Sequence, residues 1–177
     1  MELRELLEIG PGLTALIGGG GKTTLMYHLA SELRQQGTVL VCTTTRIWPP
    51  AHLRVCTEEG TLREELRRRG IACAGTPMEQ GKLTAPAIDN WETMADFVLV
   101  EADGSRRLPL KVPRAGEPVI PDNTDMILCL NGLSSLGKRA EDCCLRLEEA
   151  RALMNRHGRR HYEDNRKPWG SAADGLG

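Results

Sequence analysis

The residues with the clearest chemical potential form one short, glycine-rich loop. Four glycines run directly into a lysine and two threonines: Gly18, Gly19, Gly20, Gly21, Lys22, Thr23 and Thr24. Phosphate oxygens need several donors converging on a small volume, and backbone N–H groups can supply them where side chains are absent. The lysine could then reach the β- and γ-phosphates, and the Thr23 hydroxyl could hold Mg²⁺. The loop therefore predicts a site for a nucleoside triphosphate with Mg²⁺.

The loop departs from the common pattern GxxxxGK[ST], whose first glycine would fall at Leu16. It resembles instead the variant loop of the SIMIBI class of P-loop proteins. Many members of that class carry an additional lysine just before the glycines. Here that position is Ile17, so an intersubunit lysine of that kind is absent.

Two acids follow an apolar run in the middle of the chain. Residues 97–100 are apolar and lead into Glu101, with Asp103 two positions later. In an extended strand these two side chains point the same way. An acid beside a phosphate loop holds Mg²⁺ directly or through water. We expect Glu101 to be a metal ligand, and Asp103 to be a second ligand or the residue that orients the attacking water.

Three threonines end another predicted strand, Thr43, Thr44 and Thr45. At the carboxyl end of a parallel strand they would face the ligand crevice, where Thr44 could position a water near the γ-phosphate. Strand propensity alone explains these threonines equally well. Arg46 follows and could touch phosphate, although an arginine after a strand is more often solvated.

The elements that must position these residues alternate along the chain. Apolar runs predict strands, the clearest at residues 13–17, 39–42, 97–100 and 126–130 and shorter ones at 53–56, 71–74 and 81–84. Helical periodicity marks residues 2–9, 23–36, 59–69, 87–95 and 145–154. This order predicts an α/β fold, a three-layer P-loop NTPase-like domain with a mostly parallel sheet.

Domain limits and the end of the chain follow from the same patterns. We expect one domain over residues 1–156 and a disordered tail over 157–177, which is polar, then glycine-rich. His157 and His161 are four apart there, a spacing that could bind metal on a helix. A solvated tail explains them better, because Gly158 and several arginines surround them.

The composition of the chain restricts the classes of binding partner that we expect. The net charge is −1, which argues against nucleic acid or an anionic membrane as the main partner. The sequence has neither an apolar run of membrane-spanning length nor a signal-peptide pattern, so we expect a cytoplasmic protein.

The six cysteines include no CxxC pair, so neither a zinc ribbon nor a thioredoxin motif is indicated. We expect Cys42 and Cys129 to be buried thiols. For the adjacent Cys143 and Cys144 we expect one inward and one outward side chain. A redox or selenium-handling role for the pair is the less favoured interpretation.

Three segments together resemble one family. They are residues 17–24 (IGGGGKTT), residues 43–47 (TTTRI) and residues 100–111 (VEADGSRRLPLK), and the EPVIP stretch at 117–121 fits too. The chain is similar over roughly residues 10–155 to the YqeC-like family, selenium-dependent hydroxylase accessory proteins. The resemblance implies a nucleotide-binding factor in the maturation of selenium-dependent molybdenum hydroxylases. It implies a hydroxylase, or its cofactor-maturation proteins, as partners.

The resemblance also makes Lys111 and Glu117 site candidates. Lys111 could contact a phosphate or an acidic group of a partner, or it could be a solvated lysine in a proline-rich loop. Members of this family continue past this length and carry an Asn-Lys-x-Asp-like segment that reads guanine in GTP-binding proteins. Here Asn131 is followed by Gly132, Leu133 and Ser134, so we expect a truncated or diverged end. The sequence does not decide between adenine and guanine, so the nucleotide is either ATP or GTP.

Three functions agree with this sequence. One is a hydrolysing accessory protein. The second is an adaptor that is switched by nucleotide, delivers a cofactor and turns over little. The third is a small-molecule kinase of the same fold, in which an acceptor hydroxyl replaces the attacking water.

Overall fold

The computed structural model describes residues 2–156, which fold around one parallel sheet. The strands are β1 (Gly12–Gly18), β2 (Val39–Thr43), β3 (Val55–Cys56), β4 (Ile71–Ala74), β5 (Thr76–Pro77), β6 (Leu83–Thr84), β7 (Phe97–Glu101), β8 (Leu110–Lys111), β9 (Met126–Leu130) and β10 (Cys144–Leu145). The helices are α1 (Leu3–Leu6), α2 (Lys22–Leu33), α3 (Glu59–Arg69), α4 (Ala140–Cys143) and α5 (Leu147–Arg156). Single 3₁₀ turns lie at Trp91–Thr93 and Leu133–Ser135.

Six of these strands form the central sheet in the order β3-β4-β2-β7-β1-β9. Every neighbouring pair in it is parallel. Strands β8 and β10 form a small parallel pair, and β5 and β6 an antiparallel one. The predicted α/β fold with a mostly parallel sheet is confirmed.

Both faces of the sheet are covered, as a parallel sheet requires. On one face, strand residues such as Leu40 and Val98 pack with Leu62 and Leu66 of α3 and with Trp91. The other face packs against α2 through its buried positions, Met26, Leu29, Ala30 and Leu33. The result is a three-layer domain whose core is almost entirely aliphatic, in keeping with an aromatic content of 3%.

The register of the central strands fixes where a site can form. Glu101, the last residue of β7, lies level with Leu16 of β1 on one side and with Thr43 of β2 on the other. The glycine loop follows β1, so it begins at the same edge as this acid. Ligands of open α/β sheets bind at this carboxyl edge.

One predicted helix is wrong. Within residues 87–95 only the 3₁₀ turn Trp91–Thr93 forms, because Asn90 is left-handed, with φ 54°, and interrupts the helix. Ile88 and Trp91 are buried in the core. The spacing of the apolar residues therefore reflects the burial of an irregular segment and not a helix.

Two expectations about cysteines are also wrong. Cys129 is exposed, because β9 is the edge strand and alternate side chains on it face away from the core. Cys143 and Cys144 are both buried, where one outward thiol was expected. Burial raises the pKa of both thiols, which makes them less reactive. Cys42 is buried as expected.

The predicted tail over residues 157–177, with His157 and His161, lies outside the described residues. Within residues 2–156, no helix is both long and apolar enough to cross a bilayer.

Candidate functional site

The glycine loop makes a tight turn between β1 and α2. Gly18, Gly20 and Gly21 have φ values of 91°, 74° and 86°, which side chains other than glycine rarely adopt. Gly21 is the N-cap of α2, and its carbonyl accepts the N–H of Leu25 at 2.9 Å. The loop therefore delivers the N-terminus of a 12-residue helix, with its unpaired N–H groups, to the sheet edge.

Close packing beneath the loop gives a second reason for the glycines. A Cβ on Gly18 would lie 2.2 Å from the carbonyl oxygen of Leu130. One on Gly19 would lie 2.6 Å from the carbonyl oxygen of Pro109. Gly21 faces open space, with nothing within 4 Å of a Cβ. The first glycines of the loop thus pack against neighbouring backbone, and the last one opens onto the cleft described below.

Lys22 is held in place by the loop and by an acid. Its Nζ donates to the carbonyl oxygen of Gly18 at 2.6 Å and lies 3.1 Å from Oδ1 of Asp103. The side chain is only 3% exposed. An ammonium group carries three donors, so these two contacts leave one for a further acceptor.

Thr23 and Glu101, both expected from the sequence to hold Mg²⁺, contact each other. The Thr23 hydroxyl donates to Oε2 of Glu101 at 2.7 Å. Burial raises the pKa of Glu101, while the hydrogen bond from Thr23 and the charge of Lys22 oppose that rise. The pair places a hydroxyl and a buried carboxylate side by side at the end of β7. Both are oxygen ligands of the kind that Mg²⁺ prefers.

Asp103 is buried and connects the loop to a second lysine. Its Oδ2 accepts the N–H of Gly18 at 3.0 Å and lies 3.1 Å from Nζ of Lys111. Oδ1 makes the ionic contact with Lys22 but receives no hydrogen bond of good geometry. With an N–H and two ammonium groups around it, this carboxylate holds the glycine loop in place. It does not line the cleft beside that loop.

Lys111 carries the ionic chain further. Its Nζ donates to Oε2 of Glu117 at 2.8 Å, and Arg146 donates to the same oxygen at 3.0 Å. Arg114 contacts Oε1 of Glu117 at 3.0 Å. The hydrogen bond from Lys111, with help from Arg146, lowers the pKa of Glu117 to about 2. The two residues singled out by family resemblance therefore contact each other.

A cleft of about 520 Å³ opens beside the loop. Its lining includes five basic side chains, Lys22, Arg46, Lys82, Arg106 and Arg107, and one acidic side chain, Glu101. Gly20, Gly21, Thr23 and Thr24 line it too. Trp48, 59% exposed, adds an aromatic surface, and Nζ of Lys82 lies 5.3 Å from its ring centroid. The cleft is strongly cationic although the chain as a whole is not.

Sequence reasoning did not single out Arg106 and Arg107 as site residues. They are consecutive left-handed residues, with φ values of 50° and 66°. Such a backbone costs roughly 1–3 kcal/mol per residue and occurs most often at functional sites. The available signal was the position of these arginines three and four residues after Asp103. The loop that turns them into the cleft was not predictable from that spacing.

Thr44 lies apart from the glycine loop. Its hydroxyl donates to the carbonyl oxygen of Val119 at 2.5 Å, and its N–H donates to the carbonyl oxygen of Glu101 at 3.2 Å. It lines a second cleft, which adjoins the first. Its neighbour Thr43 donates to the Glu101 carbonyl at 2.7 Å. A role for Thr44 in positioning water stays a prediction.

Within residues 2–156, no group of three or more His, Cys, Asp or Glu side chains is placed to hold a metal ion. The Thr23–Glu101 pair is a different kind of site, because Mg²⁺ bound with a nucleotide takes phosphate oxygens and water as its other ligands. Two protein oxygens beside a cationic cleft fit that mode of binding.

Comparisons with known proteins agree with the resemblance to the YqeC family. A family model described as "YqeC protein" matches residues 14–148 of the chain. A curated protein of Escherichia coli (strain K12), described as "Uncharacterized protein YqeC", is 34% identical over 140 residues. That alignment covers 73% of this chain and 55% of the relative, so the chain spans about half the length of this relative. No solved structure matches the chain significantly.

Proposed function

The chain belongs to the YqeC protein family, and on that premise we propose that it binds and hydrolyses a nucleoside triphosphate with Mg²⁺. The observation that carries the proposal is the junction of β1 and α2. There a left-handed glycine turn, a buried lysine and a Thr23–Glu101 pair 2.7 Å apart meet at the edge of one cationic cleft.

The chain's own groups have distinct parts in this proposal. The loop N–H groups and the N-terminus of α2 bind phosphate oxygens, which are multiply charged acceptors. The remaining donor of Lys22 binds the β- or γ-phosphate. The buried carboxylate of Asp103 keeps that ammonium group in place at 3.1 Å and so reduces the ordering that binding requires.

Thr23 and Glu101 are the residues that would hold Mg²⁺. When bound, the ion neutralises charge that develops on the phosphates. Arg106 and Arg107, which line the same cleft, could stabilise the same charge. Catalysis of this kind consists of positioning and electrostatics. Thr44 lines the adjoining second cleft and stays the proposed water-positioning residue. Asp103 is buried between two ammonium groups outside the lining of the first cleft, so its part is to position Lys22.

The biological setting that we propose follows from the family resemblance alone. Family resemblance suggests an accessory role in the maturation of selenium-dependent molybdenum hydroxylases, with a hydroxylase or its cofactor-maturation proteins as partners. Because the chain spans about half of the relative, the activity and partners of the whole protein belong to the same proposal.

Phosphate release distinguishes hydrolysis from binding alone. We expect steady-state release from ATP or GTP with Mg²⁺, and a loss of tenfold or more in Lys22→Ala, about the effect of removing a charged hydrogen-bond donor. Lys138→Ala, an exposed lysine outside both clefts, is the matched control. Tight binding with no release above the Lys22→Ala level would contradict hydrolysis and favour the nucleotide-switched adaptor.

A small-molecule kinase is the second candidate function, and the second cleft favours it. That cleft shares Arg46, Gly104 and Arg106 with the first, so an acceptor bound there would lie beside the transferred phosphate. Detection of a phosphorylated small molecule after incubation with ATP and candidate acceptors would support the kinase.

A further inference from the structure

The second cleft has a charge pattern that nucleotide binding does not explain. It measures about 500 Å³, within the range of small-molecule sites. Four arginines and a single acid are among the residues that line it: Arg46, Arg106, Arg114, Arg146 and Glu117. The lining of this one concave surface therefore carries more positive than negative charge.

Two of these arginines have no partner among the described residues. Arg46 and Arg106 make no ion pair or side-chain hydrogen bond within residues 2–156. A guanidinium group carries five donors in a planar fork that matches the oxygens of phosphate and carboxylate. The donors of these two side chains thus remain available on the wall shared by both clefts.

The other two arginines are held in position by Glu117. Arg146 donates to Glu117 at 3.0 Å and to the carbonyl oxygen of Val112 at 3.0 Å. Arg114 contacts the other carboxylate oxygen at 3.0 Å. Lys111 donates to Glu117 as well but is also paired with Asp103, so Glu117 is left to balance the two arginines and cannot neutralise both. The excess positive charge is present before any ligand arrives, and the largely buried Arg146 is the better ordered of the two arginines.

Hydroxyl groups complete the lining. Thr44, Thr45 and Thr84 line the same cleft. The Thr44 hydroxyl already donates to the Val119 carbonyl and the Thr45 hydroxyl contacts that of Thr43, so Thr84 is the threonine whose hydroxyl can donate to an oxyanion that the arginines attract. Few apolar side chains take part, Val119 and Leu145 being those in the lining. This chemistry suits a polar anion and not an apolar ligand.

We propose that the second cleft is a separate binding site for a small-molecule oxyanion, a phosphate or carboxylate group on a ligand other than the nucleotide. Arg46 and Arg106 bind the group directly, and Glu117 positions Arg114 and Arg146 around it. The site goes beyond nucleotide binding, because most of its lining residues take no part in the phosphate loop.

The two clefts can be observed separately by NMR. Backbone amides of Thr84, Gly116 and Leu145 report on the second cleft alone. Those of Gly20 and Thr24 report on the first alone. We would titrate the ¹⁵N-labelled protein with inorganic phosphate and, in a second arm, with citrate, both against sodium chloride at equal ionic strength.

We expect saturable shifts at the second-cleft amides with at least one probe, and the stronger probe identifies the class of oxyanion. Arg114→Gln should weaken the binding about tenfold, the cost of one charged hydrogen-bond donor. Its side chain is 65% exposed, so this variant should fold. Arg106→Gln should weaken it as well, and the exposed Arg67→Gln on α3 is the matched control.

The proposal is overturned if neither probe shifts the second-cleft amides beyond the chloride control. It is equally overturned if the shifts persist unchanged in Arg114→Gln and Arg106→Gln. A separate titration with Mg²⁺ and ATP, read at Gly20 and Thr24, tests the nucleotide site. Failure of the nucleotide proposal would therefore appear at different resonances from failure of this one.

Discussion

At the scale of single residues, buried charge sets the properties of the site. Glu101 and Asp103 leave β7 two residues apart but differ in surroundings. Asp103 lies between two ammonium groups at 3.1 Å each. Glu101 has a hydroxyl as its hydrogen-bond partner, and burial raises its pKa. A buried carboxylate with so little compensation is costly for the fold, which fits a group kept to bind a cation.

This cost leads to a prediction for Glu101→Gln. Without nucleotide or Mg²⁺, we expect the variant to melt at a higher temperature than the wild type. The neutral amide avoids the desolvation cost and its oxygen can still accept from Thr23. We expect Mg²⁺-dependent nucleotide affinity to fall by at least the roughly 10-fold to 100-fold that loss of an outer-shell partner costs.

Differential scanning calorimetry and calorimetric titration measure these two effects. Glu64→Gln, at an exposed glutamate on α3, should change neither. A Glu101→Gln protein that melts lower than the wild type, or that keeps its Mg²⁺ dependence, would refute this role.

The lowered pKa of Glu117 leads us to expect that the stability of the protein depends on pH. Its pKa is about 2 in the folded protein, against an ordinary value of 4.5. A lowered pKa adds stability above the unfolded value, and that stability is lost as pH falls from about 4.5 through about 2. At neutral pH, Glu117→Gln should cost about 1–3 kcal/mol, because it leaves cationic donors less well paired.

Denaturant unfolding of wild type and Glu117→Gln at several pH values tests this. The difference between the two proteins should be constant above about pH 5 and shrink below it. A difference that stays the same down to pH 2.5 would show that the ion pairs with Lys111 and Arg146 do not form in solution.

At the scale of elements, the strand–loop–helix junction depends on backbone packed against backbone. Gly19 shows this without any left-handed conformation, because a Cβ there would meet the Pro109 carbonyl oxygen at 2.6 Å. The segment around Pro109 thus packs directly beneath the glycine loop. Loop shape and the position of the 108–111 segment are coupled.

We therefore expect Gly19→Ala to destabilise the protein by about 1–3 kcal/mol or more, as other overpacked sites do, and to weaken nucleotide binding. Gly60→Ala is a control for which we expect the opposite change in the free energy of unfolding. Gly60 lies in α3 with nothing within 4 Å of a Cβ, so the change should stabilise by up to about 1 kcal/mol. Equal unfolding free energies for the two variants would contradict the packing beneath the loop.

Local sequence was enough to predict most of the elements and to single out the glycine loop and Glu101, which the structure places at the same edge of the sheet. Gly70 ends α3 in the left-handed conformation as expected, and the run before Glu101 is a buried strand. These features depend on neighbours along the chain. Residues 87–95 were mispredicted, because their apolar side chains are buried by tertiary contacts and not by helical periodicity.

The ionic chain through Asp103, Lys111, Glu117 and Arg146 could not be read from sequence. Its members are brought together by loops that cross the sheet edge, and nothing in their spacing encodes these contacts. Exposure of Cys129 was missed for a similar reason, since strand order decides which strand lies at the edge.

At the scale of the whole molecule, the distribution of charge matters more than its sum. The chain has a net charge of −1. Most of the charged residues that line the two adjoining clefts are nevertheless lysines and arginines. A field confined to concave surfaces attracts small anions without giving the protein a broad affinity for polyanions. This agrees with a nucleotide-binding protein.

The most direct test of nucleotide binding is calorimetric titration of the purified protein with ATP and with GTP, each with and without Mg²⁺. We expect saturable binding of at least one nucleotide, with higher affinity in the presence of Mg²⁺. Lys22→Ala should lower this affinity tenfold or more, about the effect of losing a charged hydrogen-bond donor. Lys138→Ala should leave the affinity unchanged. Binding of neither nucleotide, or equal affinity in Lys22→Ala, would contradict the assignment of the glycine loop as a phosphate site.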